Sequence, residues 1–140
     1  MERDNESSIA AEVNLEDHGI VKFGMHFETE AGQVDVICLE FSNQNMLFIT
    51  QAPLVGTLIE AFPDDLVDIG TPVTYSTKTL FGADDVTLQL LARRLVEVLQ
   101  KRLLLAISCQ NLSMSTVRRI ETEISRKVLD ERRENQRSVF

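Results

Sequence analysis

The stretch GADDVTLQLLARRLVEVLQKRLLLAIS, residues 82–108, decides how the rest of the chain is read. Within it Leu88, Leu91, Leu95, Val98 and Leu99 recur at steps of three and four, while Arg93, Arg94, Glu97 and Lys101 fall mostly elsewhere. That is the pattern of a helix with one buried face over residues 86–101. Gly82, Asp84 and Asp85 precede it, and an aspartate there can accept the orphan amide hydrogens of the first turn. Residues 103–109 are too short and too uniformly apolar for another amphipathic helix, so they predict an interior strand. Further on, a turn over 111–115 leads into a second helix reaching about residue 131, with Val117, Ile120, Ile124 and Val128 on its apolar side. The charged residues beyond it predict a fraying tail.

Toward the N-terminus the periodicity changes from helical to alternating. Val21, Phe23, Met25 and Phe27 alternate with Lys22, His26 and Glu28 over residues 20–29, which predicts a half-buried strand. A turn at 30–33 containing Gly32 joins it in a hairpin to residues 34–41, where Val34, Val36 and Cys38 share a face opposite Asp35, Ile37, Leu39 and Phe41. A cluster of Ser and Asn at 42–45 precedes a largely buried strand at 46–51, and a fourth strand follows at 57–62. The Asp-rich segment 63–72 with its prolines and Gly70 must be a loop, and residues 73–80, with Tyr75 and several threonines, are a fifth strand. Five strands joined by short turns predict an antiparallel meander. The whole order is βββββαβα, an α+β fold with an antiparallel β-sheet or sandwich of about six strands and two flanking helices. Residues 1–18 are an acidic N-terminal tail, 19–131 a single domain, and 132–140 a charged C-terminal tail.

The chain has 140 residues and a net charge of −8, and that charge is divided unevenly. Up to Asp85 there are 16 acidic residues against 3 basic ones, a net of −13; from Val86 onward there are 6 against 11, a net of +5. This argues against a general nucleic-acid binder, which needs a basic surface to displace counterions, and leaves open a protein partner with complementary patches. No apolar run approaches the roughly 20 residues that span a bilayer. The polar, acidic first eleven residues lack the basic start and apolar middle of a secretory signal, so the expected location is cytoplasmic or nuclear. In such a reducing compartment Cys38 and Cys109, each within an apolar run, are expected as buried free thiols.

Catalytic signatures are sparse. His18 and His26 have no neighbouring Cys or His at metal-ligand spacing, and no HExxH or CxxC occurs. No GxSxG, P-loop or GxGxxG is present, so no cofactor is expected. The pairs Asp64/Asp65 and Asp84/Asp85 lie beside Pro or Gly, where turns and caps account for them. Ser108, Cys109 and Ser113 have no histidine nearby in sequence. Arg93, Arg94, Lys101, Arg102, Arg118, Arg119, Arg126 and Lys127 form either a solvated helix face, with pairs such as Arg93/Glu97 and Glu123/Lys127, or a docking surface for an acidic protein.

A resemblance adds what periodicity does not. Ile49-Thr50-Gln51 followed by Gly56-Thr57-Leu58, then Ser76-Thr77-Lys78 running into Leu80-Phe81-Gly82 with acidic residues after it, is similar to the proteasome assembly chaperone 3 family. The likeness continues through Ala92, Leu95 and Val96, the strand 103–107 and Ser113-Met114, and covers roughly residues 24–128. It implies a non-catalytic chaperone that promotes assembly of the α-subunit ring of the proteasome core particle. Such a chaperone acts as a dimer with a sister protein, assembly chaperone 4, or with itself, and is released before maturation. The alternatives are a generic α+β protein-interaction adaptor in another pathway and, more remotely, a small hydrolase. For the partner-binding surface the expectation falls on the loop of Gln51, Leu54, Val55 and Gly56, whose two aliphatic residues either meet a partner or fold back onto the sheet edge.

Overall fold

In the computed structural model the described residues are 20–51, 56–64, 70, 72–109 and 112–138. The alternating segments become strands β1 (Ile20–Thr29), β2 (Gly32–Glu40), β3 (Asn45–Thr50), β4 (Thr57–Pro63), β5 (Tyr75–Phe81) and β6 (Leu103–Ser108). The two periodic segments become helices α1 (Val86–Leu99) and α2 (Met114–Ser138). The element order is the expected βββββαβα. The strands form one mixed sheet in the spatial order β1-β2-β3-β6-β4-β5.

The expected meander is interrupted once. β6 inserts between β3 and β4 and pairs with β3 in parallel, from Asn45 opposite Leu103 to Thr50 opposite Ser108, while the remaining pairings are antiparallel. In this position β6 has hydrogen-bonding neighbours on both edges, so its apolar residues Leu103 to Ile107 do not form an exposed strand edge. A turn signature between β3 and β4 cannot reveal whether the two strands lie side by side or one strand apart.

A bulge changes one face assignment in β1. Val21 pairs with Leu39 and Phe23 with the adjacent Cys38, so Lys22 is an extra residue that reverses the alternation. Val21 is consequently 57% exposed whereas Phe23 is 4% exposed, in place of the shared face expected for Val21, Phe23, Met25 and Phe27.

α1 begins at Asp85, whose carboxylate accepts from the Thr87 amide at 2.8 Å, the cap expected from the sequence. It ends at Gln100, in the left-handed region at φ 59°, whose amide donates to the Val96 carbonyl. Leu88, Leu91, Ala92, Leu95, Val96 and Leu99 are buried against the sheet and α2. On α2 the line Val117, Ile120, Ile124 and Val128 is buried as expected. The helix does not stop near residue 131 but continues to Ser138 through residues read as a tail. Arg132 explains part of this, because its guanidinium donates to the Val98 carbonyl at 2.9 Å and ties the last turns of α2 to the end of α1. Both helices contribute to a single core with the inward side chains of the sheet, among them Val36, Cys38, Leu47, Ile49, Ile59 and Leu105.

Candidate protein-docking face

The register of the strands places alternate residues on the face away from the helices. Reading across the sheet, one row runs Val21, Leu39, Met46, Leu104, Glu60, Lys78. The next runs Gly24, Ile37, Phe48, Ala106, Leu58, Phe81. A third row is polar: His26, Asp35, Thr50 and Ser108. No described element covers this face. Val21, Ile37, Leu80 and Phe81 are exposed, and Leu39, Met46, Phe48, Leu58 and Leu104 are half-buried by their neighbours alone.

An antiparallel sheet with a solvated face ordinarily alternates apolar-in with polar-out. Here two adjacent rows on the outer face are apolar across most of the sheet, an arrangement that marks a binding surface in a water-soluble domain. Charged groups border it on one side. Arg102 donates to Glu60 at 2.9 Å and lies over the Phe62 ring at 5.5 Å, so the guanidinium both pairs and stacks at the rim. Near the other end, Leu58, Phe81, Ala106 and Gly56 line a shallow apolar depression of about 150 Å³.

Two of the four residues expected to bind a partner, Gln51 and Gly56, are described; Leu54 and Val55 lie outside the described residues. Gln51 and Gly56 flank the end of β6. The Gln51 amide donates to the Ser108 carbonyl at 2.9 Å, and its side-chain Nε2 donates to the Ala31 carbonyl at 2.6 Å, bracing the β1–β2 turn. Gly56 packs so closely on β6 that a Cβ there would sit 1.9 Å from the Ile107 carbonyl oxygen. Gly82, at φ +90°, crosses the same corner, where a Cβ would meet Thr57 and the Gly56 carbonyl at under 3 Å. Both described loop ends thus hold the sheet together. The apolar outer rows are not distinguished by periodicity, because residues 46–51 and 103–109 carry apolar side chains at consecutive positions and read as a largely buried and an interior strand. The signal was present: two helices can blanket one face of a six-stranded sheet, not two.

The groups that would do chemistry are occupied with structure. Asp64 accepts from Thr74 at 2.6 Å and from Ser76, and these hydroxyls hold its carboxyl below the usual carboxylate range. Asp84 accepts from Thr79 at 2.9 Å and from Gln89. Burial pushes the thiols of Cys38 and Cys109 up to about 11, which favours the protonated form at neutral pH; Cys38 is buried and Cys109 half-buried. Among the described residues no group of His, Cys, Asp and Glu could hold a metal ion, and no helix is long and apolar enough to cross a membrane. The expected pairs on the helices are rearranged: Glu123 is shared by Arg119 at 3.1 Å and Arg126 at 3.3 Å, and Arg94 reaches Glu121 on α2. Neither the Arg93/Glu97 nor the Glu123/Lys127 pair forms.

The chain is a small α+β domain whose sheet has one helix-covered face and one largely apolar face that no described element covers. The sequence profile of "Proteasome assembly chaperone 3" matches residues 47–127. Proteins named proteasome assembly chaperone 3 from Bos taurus and Mus musculus are similar to the chain. The bovine protein is 32% identical over 95 residues, covering 64% of this chain and 77% of that protein. The mouse protein is 28% identical over 117 residues, covering 79% and 95% respectively. The fold is similar to a chain in the crystal structure of a chaperone complex for yeast 20S proteasome assembly, with a TM-score of 0.61 and 16% identity over 76% of this chain and 96% of that one. The chain belongs to the proteasome assembly chaperone 3 family, whose members are non-catalytic chaperones.

Proposed function

We propose that the protein promotes assembly of the α-subunit ring of the proteasome core particle in the cytoplasm and nucleus. In this reading it works as a dimer with assembly chaperone 4 or with a second copy, and is released before the particle matures. The observation that carries the dimer is the open apolar face of the sheet. Six strands about 4.8 Å apart and ~20 Å long present on the order of 500 Å² in outline. That is the scale of one side of a modest interface, large enough for specificity and small enough for release. Covering it removes Ile37, Phe48, Leu58, Phe81 and Leu104 from water, each worth up to roughly 1.5–3 kcal/mol when fully buried.

In this reading the contact with an α-type subunit falls on the segment of Gln51, Leu54, Val55 and Gly56, whose described ends, Gln51 and Gly56, flank the end of β6. Ile37→Asp with Phe81→Asp should leave the fold intact, abolish dimer formation measured by light scattering and weaken capture of purified α-type subunits. Leu54→Asp with Val55→Asp should preserve the dimer and lose the capture alone. Undiminished capture by both double variants would remove the proposal, and a chain that captures no α-type subunit would be an adaptor for another pathway.

A further inference from the structure

The net charge of −8 resides almost entirely outside the described residues. The described residues hold 14 acidic and 13 basic side chains, whereas residues 1–19 hold 6 acidic ones and a single arginine, a net of −5. Against this stands the outer side of α2. At 100° per residue, Arg119, Arg126, Arg133 and Arg137 fall opposite the buried line of Val117, Ile120, Ile124 and Val128, with Asp130 among them and Arg118 at the side. All five arginines are exposed. The helix's own glutamates offset them only in part: Glu121 is engaged by Arg94, Glu123 is divided between Arg119 and Arg126, and Glu131 and Glu134 lie further along the helix. Arg118 and Arg133 have no ionic partner among the described residues. Between the arginines Leu129 is 51% exposed, and together with Arg118, Thr122, Ser125, Arg126 and Glu121, the last paired with Arg94, it lines a shallow trough of about 530 Å³.

We propose that the acidic N-terminal segment, residues 1–19, docks on this arginine-bearing outer face of α2 of its own chain. The segment has the matching chemistry, because its six acidic residues outnumber a single arginine and apolar Ile9, Val13 and Leu15 lie among them, to set against the arginines and Leu129. Its position is also right. It leaves the fold at Ile20, the first residue of β1, the strand against which α2 packs. Reach is not limiting, since 19 residues span up to ~60 Å when extended and a 25-residue helix is ~38 Å long. The contact is electrostatic and exposed, and so weakens as salt shortens the Debye length. Docked there, the segment screens the arginines from other acidic chains, which makes it a competitor for any acidic partner of α2.

The test uses the full chain with Cys109→Ser and a nitroxide placed on Ser7→Cys; buried Cys38 does not react with the label. At low salt the amide signals of Arg118, Thr122, Arg126 and Arg133 should lose intensity and regain it at high salt. Adding Glu6→Lys, Glu12→Lys and Glu16→Lys, which leaves every residue of the folded body unchanged, should restore the intensity at low salt. Loss of signal elsewhere on the fold, or nowhere, overturns the proposal. So does a loss of equal size when spin-labelled chains are mixed with separate isotope-labelled chains, because the occupant is then the segment of a second copy.

Discussion

Leu104 and Leu105 are consecutive residues of β6 with the same side chain and opposite surroundings. Leu105 is fully buried among Leu47, Ile59 and the helices, while Leu104 lies on the outer row between Met46 and Glu60 and is only half-covered. The contrast holds across the sheet: Val36 against Ile37, Leu47 against Phe48, Ile59 against Leu58. Both faces are apolar, but only one is closed within the chain. In the proposed dimer the difference is one of timing: the inner face is buried on folding and the outer one on association.

The largest effect should separate the two leucines. Leu105→Ala should destabilise the isolated chain by about 2–5 kcal/mol through lost burial and the cavity left behind, whereas Leu104→Ala should cost under about 1 kcal/mol, both read from urea unfolding midpoints. Equal losses would break the comparison and show that the outer face is covered within the chain. The corner at which the faces meet comes next. Gly56→Ala forces a Cβ against the Ile107 carbonyl and should cost roughly 1–3 kcal/mol through displacement of β4 from β6. Asp85→Ala removes the cap that starts the covering helix and should cost about 1 kcal/mol, visible as a lowered midpoint with an unchanged slope.

The smallest effect lies at the edge shared by both faces. Lys22 donates to Glu40 at 2.9 Å, and this hydrogen bond holds the Glu40 carboxyl below its ordinary range. A depressed carboxylate contributes stability above its unfolded-state pKa and loses it as pH falls through the folded-state value. Acid should therefore weaken the β1–β2 edge below the usual carboxylate range, and Glu40→Gln should flatten the dependence of stability on pH there. Because the pair is substantially exposed, the change should be small and should shrink with added salt.

Much of the fold was legible from particular residues. The three- and four-residue steps of Leu88, Leu91 and Leu95 and of Val117, Ile120 and Ile124 located both helices, and Asp85 marked where the first begins. Val34, Val36 and Cys38 identified the inner face of β2 by simple alternation. Less was legible of the site. Gln51 and Gly56 were selected because they lie next to aliphatic residues in a turn, but their close contacts with Ser108 and Ile107 depend on β6, which joins the sheet more than forty residues later in the chain. The outer rows of Ile37 and Phe48 were hidden by the assumption that an apolar side chain is a covered one. Lys22 added a further step, because a single inserted residue turned Val21 outward without altering the pattern of the sequence around it.

The sequence by itself determined which segments are strands and helices, the order βββββαβα, and the separation of acidic from basic charge, because each depends on neighbours within a few residues. Only the tertiary structure decided that β6 enters the sheet between β3 and β4, that both helices lie on one face, and that no described element covers the other. Those outcomes depend on which distant surfaces meet. Apolarity drives a side chain out of water without specifying whether its own chain or another protein will cover it.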